Sequence, residues 1–174
     1  MNNIANLQII VAGYSRISDG LYDFLKDRSV SVIKIDSAIN SLPNQQADII
    51  FVFTKDDREE KVNLLNSLKP LLKKGGIMSI NLDSIDLLAL QIETQLKLLG
   101  VNLNFPKQQS KFMEIIATAD NSEEDIQFLK EFGIRILEKD PYVVKNGISA
   151  RAYMLAAMTR EAFYLVDNGY ASIE

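Results

Sequence analysis

The sequence predicts an α/β protein: a Rossmann-like, doubly wound and mostly parallel sheet followed by one long C-terminal helix. Three observations carry this expectation. Short apolar runs alternate with segments of helical spacing through most of the chain. The run ADIIFVF is almost continuously apolar, as in strands buried on both faces of a parallel sheet. The first run, LQIIVA, ends at Gly13 and gives way at once to a helix.

Taken in order, Leu7 to Ala12 reads as a strand, and Ile17, Leu21, Phe24 and Leu25 fall on one face of a helix. Val30 to Ile35 alternates, ends at Asp36 and reads as the second strand; Ala47 to Phe53 is the third. Arg58 to Leu72 is amphipathic and stops before Gly75-Gly76, after which Ile77 to Ile80 is again strand-like. Ser84 to Leu99 reads as a helix ended by Gly100, with a short strand at Val101 to Leu103 before Pro106. Phe112 to Ala117, a helix over Ser122 to Phe132 and a strand at Ile134 to Leu137 complete the alternation. From Ile148 to about Asn168 the chain can form a helix that is apolar on nearly every side, a pattern of helices buried all round. The expected organisation is a nucleotide-binding body over residues 1–146 and a C-terminal helical segment over 147–174.

At 174 residues the chain suits one body, large enough to build a core without disulfides or metal. Nineteen basic against 23 acidic residues give a net charge of −4, which argues against a nucleic-acid surface. The absence of His and Cys excludes an imidazole base, a thiol nucleophile and a zinc-type ligand cluster. The N-terminal stretch has neither the charge nor the cleavage site of a secretory signal and is too short to span a bilayer, so a cytoplasmic protein is expected.

The turn Gly13-Tyr14-Ser15-Arg16-Ile17-Ser18 stands where a G-x-G-x-x-G fingerprint would sit and keeps its first glycine. Ser15 and Ser18 are small and carry hydroxyls able to meet a phosphate; Arg16 adds charge, although an arginine there more often faces solvent. The turn reads either as a modified phosphate cradle or as a plain strand-to-helix connection. Asp36 lies 23 residues beyond Gly13, where an acid takes a ribose 2′-hydroxyl and repels a 2′-phosphate. A strand-end cap is the plainer role for it.

With these residues in view, nearly the whole chain resembles the 3-hydroxyacyl-CoA dehydrogenases. The family's glycine turn and second-strand acid align without a gap on Gly13 to Asp36. ADIIFVFTKDDREEK is similar to its next block, which implies cofactor contacts at Asp56 and Lys61. The Ser-Asn-Thr-Ser-Ser segment corresponds to Ile80 to Ser84 and retains Asn81, while its catalytic serine falls on Asp83. The Gly-x-His-x-x-x-Pro segment corresponds to Gly100 to Pro106, the histidine position being Asn102, and the partner glutamate falls on Glu114. EAFYLVDNGYASIE resembles the opening of the family's C-terminal helical domain.

The resemblance implies an NAD cofactor bound by Gly13, Ser15, Arg16, Ile17, Asp36, Asp56, Lys61 and Asn81, and no metal. For Asp56, Lys61 and Asn81 the residues alone are equally those of a solvated helix start. Glu114, within FMEIIA, is either the remnant of a catalytic dyad or the polar residue of an edge strand. The departures point away from the family's chemistry. Asn102 cannot accept a proton near neutral pH, the family's helix-start asparagine falls on Arg151 or Ala152, and the acyl-CoA-contacting insertion shrinks to Ser37–Gln46. A noncatalytic NAD-binding protein is expected, in effect a pseudoenzyme. A dehydrogenase rewired through Asp83, Glu114 or Lys61 and a scaffold that binds no nucleotide are the alternatives. The apolar residues of the tail predict a homodimer formed through the C-terminal helix.

Overall fold

The computed structural model describes residues 7–36, 43–105 and 110–172. Its elements are β1 (Gln8–Ala12), α1 (Arg16–Asp27), β2 (Ser31–Ile35), β3 (Ala47–Val52), α2 (Arg58–Leu68), β4 (Leu72–Ile80), α3 (Leu87–Thr94), β5 (Leu98–Leu103), β6 (Phe112–Ile116), α4 (Glu123–Arg135), β7 (Asp140–Val144) and α5 (Ala150–Asp167). The strands form one sheet in the order β2-β1-β3-β4-β5-β6-β7. Every pairing is parallel except β5 with β6.

Side chains alternate across a strand, so β1 sends Ile9 and Val11 to one face and Ile10 and Ala12 to the other. The first pair packs with Leu21 and Leu25 of α1 and Leu129 and Phe132 of α4. The second packs with Leu64, Leu65 and Leu68 of α2 and Leu87 and Leu90 of α3. Helices therefore cover both faces, which is the doubly wound arrangement the sequence predicts. Each fully buried leucine or isoleucine in these layers contributes about 1.5–3 kcal/mol.

Several boundaries differ from the sequence reading, each for a local reason. The helix predicted to Leu72 ends at Leu68 and passes through a 3-10 turn at Lys69–Leu71, where Pro70 interrupts the helical hydrogen bonding. Strand β4 runs from Leu72 through both glycines instead of starting at Ile77. Helix α3 stops at Thr94 because Gln95 takes the left-handed conformation, φ 55°. Gly100 is thus no helix cap. It lies inside β5, where a Cβ would come within 2.6 Å of Leu82 and 2.8 Å of Ile116.

The strand expected at Ile134 to Leu137 is the end of α4 and the chain that follows it. The true last strand is Asp140–Val144, with Pro141 tolerated because β7 is an edge. That edge position also removes one reading of Glu114: its strand, β6, is flanked on both sides by β5 and β7.

Helix α5 has no buried residue. Tyr153, Met158 and Phe163 are each more than 60% exposed. The expectation of a helix buried all round is not met within this chain, because α1, α4, α2 and α3 already occupy both faces of the sheet. No helix among the described residues is long and apolar enough to cross a membrane.

Candidate functional site

Topology sets the location. From β1 the chain steps outward to β2, then returns past β1 to β3, so the winding reverses between the carboxyl ends of β1 and β3. In doubly wound sheets the ligand crevice opens at such a switch point. Gly13 sits there with φ 107°, and a Cβ on it would lie 1.8 Å from the Phe53 carbonyl oxygen. No other residue permits this approach of the first turn to the end of β3.

The next residues build the start of α1. Ser15 is the N-cap: its Oγ accepts from the Ser18 N–H at 3.1 Å, and Ser18 Oγ accepts from the Ser15 N–H at 2.8 Å. Buried Ser18 also bonds the Gly13 carbonyl at 3.0 Å and receives Lys34 Nζ at 2.9 Å. Its hydroxyl is therefore committed to the turn itself. The N–H of Asp19 bonds the Ser15 carbonyl, and among the described residues those of Arg16 and Ile17 are the open donors of this helix end. Arg16 is exposed, whereas the Ile17 side chain packs on the core. Tyr14, 45% exposed, reaches across the crevice and donates to Glu60 Oε1 at 3.0 Å.

Asp36 stands at the end of β2 with its carboxylate open to solvent and 4.0 Å from Lys34 Nζ, which makes its closer ion pair with Asp19 at 2.6 Å. Beyond β3 a second cluster forms. Fully buried Lys61 donates to the Asn81 carbonyl at 2.9 Å, to Asn81 Oδ1 at 3.2 Å and to Thr54 Oγ1 at 3.3 Å. Asn81 in turn clamps the Thr54 backbone through both ends of its amide, at 2.9 Å each. Burial lowers the Lys61 pKa, opposed by the nearby charges of Asp56 and Asp83. Asp56 accepts from the backbone and hydroxyl of Ser84; burial pushes its carboxyl up, but those bonds prevail and it lies below the usual range. Asp83 is exposed. Of this group, then, Lys61 is no surface residue, and Asp56 and Asp83 border solvent.

A third cluster arises from strand register. Asn102 of β5 lies opposite Glu114 of β6, which lies opposite Tyr142 of β7. Asn102 bonds the Leu82 backbone in both directions, Leu82 N–H to Oδ1 at 2.9 Å and Nδ2 to the carbonyl at 2.6 Å, and donates to Glu114 Oε2 at 3.0 Å and to Ser149 Oγ at 3.1 Å. Glu114, fully buried, also accepts from Ser149 Oγ at 2.7 Å, Tyr142 OH at 3.0 Å and the Arg151 N–H at 3.1 Å. Burial alone would raise the Glu114 pKa; the four donors outweigh it and hold the carboxyl below its usual value. Burial, and then the contact with Glu114, push Tyr142 up to about 12.

No protein-family model matches this sequence, and no curated protein matches it. Solved structures do match. The 3-hydroxyacyl-CoA dehydrogenase of Archaeoglobus fulgidus superposes with a TM-score of 0.80 at 18% identity, over 94% of this chain and 65% of its own. (S)-3-Hydroxybutyryl-CoA dehydrogenase of Ralstonia eutropha gives 0.79 at 17% identity, over 97% and 74%. The chain has the fold of the 3-hydroxyacyl-CoA dehydrogenases. A pyridine carboxylic acid 5-dehydrogenase described as an NAD+-dependent dismutase shares it too, with a TM-score of 0.80 at 17% identity, over 95% of this chain and 67% of that one.

Asn102 touches Glu114, the position with which the sequence resemblance pairs it, and Lys61 touches Asn81. Pro106 and part of the shortened 37–46 segment lie outside the described residues. Sequence reasoning missed Ser149, Tyr142 and Lys34. Ser149 had a visible signal as a serine preceding the apolar tail helix, for it is the N-cap of α5 and accepts from the Ala152 N–H. Tyr142 owes its role to strand pairing and Lys34 to the packing of α1 against β2, neither of which a single sequence displays.

Proposed function

We propose that this protein is a noncatalytic, NAD(H)-binding relative of the 3-hydroxyacyl-CoA dehydrogenases. The observation that carries the reading is the state of Glu114. A general base needs a pKa near the working pH and a free lone pair directed at substrate. Glu114 is buried, saturated by four donors and held ionised, while the neighbouring Asn102 amide is locked onto the Leu82 backbone. Lys61 points its ammonium at three oxygens, as a donor and not as a base. A rewired dehydrogenase finds no support in these groups.

The nucleotide side is supported by Gly13 at the switch point, the open N–H groups of Arg16 and Ile17, and the uncovered carboxylate of Asp36. The NAD+ dependence of a solved neighbour points the same way. A carboxylate at Asp36 favours NAD(H) over NADP(H). The deciding assay mixes the protein with NAD+ and 3-hydroxybutyryl-CoA and follows NADH. No turnover above buffer is expected, and robust NADH formation overturns the reading.

Assembly belongs to the same proposal. Helix α5 exposes Met154 and Met158 together with Tyr153, Phe163 and Tyr164, and apolar surface of this extent favours a second copy packed on it. Light scattering of the unmodified protein should give a dimer, and Met154→Lys with Met158→Lys should dissociate it. A monomer at micromolar concentration rejects the pairing.

A further inference from the structure

Helices α2 and α3 pack on the same face of the sheet, and their outer sides differ. The outer side of α2 carries Arg58, Glu59, Asn63 and Asn66, as a solvated helix does. The outer side of α3 carries Leu88 and Ile92, one turn apart and 42% and 64% exposed. This aliphatic ridge begins where α5 leaves the body: the Leu87 N–H bonds the Gly147 carbonyl at 2.8 Å, and the Gly147 N–H bonds the Ala117 carbonyl at 2.9 Å. Two residues on, Ser149 Oγ and the Arg151 N–H bond Glu114. The first turn of α5 is therefore fixed beside the first turn of α3, yet the chain's own α5 leaves the ridge uncovered.

Area decides what a second copy has to cover. Met154, Met158 and Leu165 share one exposed stripe of α5, and burying three such side chains removes about 200–350 Å² from water on each copy. A stable interface takes about 800 Å² per partner, so α5 against α5 along that stripe falls short. Tyr153 and Tyr164, also exposed, form a second stripe about 100° round the helix and three turns apart. In an antiparallel pair the partner's Leu165 meets Met154, and the partner's Tyr164 arrives at the root of α5, where the ridge of α3 starts. In a parallel pair the two tail ends meet each other and both ridges stay bare. We infer that a second copy of this chain pairs antiparallel through α5 and seats its Tyr164 on Leu88 and Ile92 of α3. Two-fold symmetry repeats the contact, and with one tyrosine and two aliphatics added the covered area on each copy rises to about 450–850 Å². The inference rests on the pairing proposed above and adds the part of the body that the pairing uses.

Sedimentation of the full chain over a range of concentrations tests it, with Leu88→Lys plus Ile92→Lys on α3 and Asn63→Lys on α2 as the control. All three positions are exposed, so the variants retain the fold. The α3 variant should dimerise about tenfold or more weakly than the unmodified protein, and Asn63→Lys should stay within about twofold of it. The sequence contains no cysteine, so single introduced cysteines report one contact each. Ile92→Cys and Tyr164→Cys, mixed at a concentration where both dimerise and treated with a short bismaleimide, should give a cross-linked dimer that neither gives alone. Unchanged dimerisation of the α3 variant, no cross-link in the mixture, or a cross-link with Tyr164→Cys alone overturns the seating on α3 while sparing the pairing of α5. An unmodified protein that stays monomeric overturns the pairing itself, and the seating with it.

Discussion

Asp36 and Glu114 are both carboxylates near the functional end of one sheet, and they live in opposite conditions. Asp36 has a 76% exposed side chain and, among the described residues, only a distant cation, Lys34 at 4.0 Å. Glu114 is sealed from solvent and accepts four hydrogen bonds from four residues. An acid left open at a strand end remains free to meet a ligand. An acid whose lone pairs are filled by its own chain has become part of the fold. On the function proposed above, the open acid belongs to the nucleotide side, while the buried one fastens α5 to the sheet through Ser149 and the Arg151 N–H.

The contrast is sharpest when each acid is removed. Glu114→Ala leaves Ser149 Oγ, one Asn102 donor and a helix N–H without their acceptor in a buried site, removes the acceptor of the partly exposed Tyr142 OH, and should cost about 3–5 kcal/mol of unfolding free energy in denaturant titration. Asn102→His comes next. A neutral imidazole cannot reproduce the amide's paired bonds to the Leu82 backbone while also serving Glu114 and Ser149, so a loss of about 1–3 kcal/mol is expected. The same variant should produce no dehydrogenase activity, since Glu114 remains saturated by its other donors.

The pH dependence follows from the shifted groups. Because Glu114 is held below its ordinary value of 4.5 in the fold, its stabilisation is complete above that pH and is lost as pH falls below it. Tyr142 behaves in mirror fashion. Its folded value of about 12 exceeds the ordinary 10.0, so the stability it adds is present below pH 10 and disappears as pH rises toward 12. Thermal melts of the unmodified protein should therefore be insensitive to both groups between about pH 5 and 9, and a Tyr142→Phe variant should lose the alkaline part of the decline. Asp36→Ala should be the smallest effect of all, within about 0.5 kcal/mol of the unmodified protein. A larger loss there would make Asp36 a structural acid and erase the contrast.

How much of this was legible in the sequence depended on the range of the interaction. The inner strands were readable because runs such as Ile49 to Val52 must be apolar on both faces, and Gly13 because a strand ending in glycine before a helix has few other uses. Local punctuation misled where tertiary packing used the same residues differently. Gly100 reads as a helix stop but is a contact surface for Leu82 and Ile116, and Pro141 hid an edge strand. The Asn102–Glu114 pair was legible through the family resemblance alone, since only the β5–β6 register brings the two together. Tyr142, Ser149 and the Tyr14–Glu60 contact escaped because each joins residues from elements far apart in sequence, 28, 35 and 46 positions from their partners.

Most direct of all is a calorimetric titration with NADH of the unmodified protein and of Asp36→Ala, side by side. Measurable but weak binding to the unmodified protein, reduced about tenfold or more in the variant for want of a carboxylate at the ribose, is the predicted result. Equal affinity in the two proteins, or tighter binding of NADPH than of NADH by the unmodified one, would contradict the claim that the open half of this site is kept for a nucleotide.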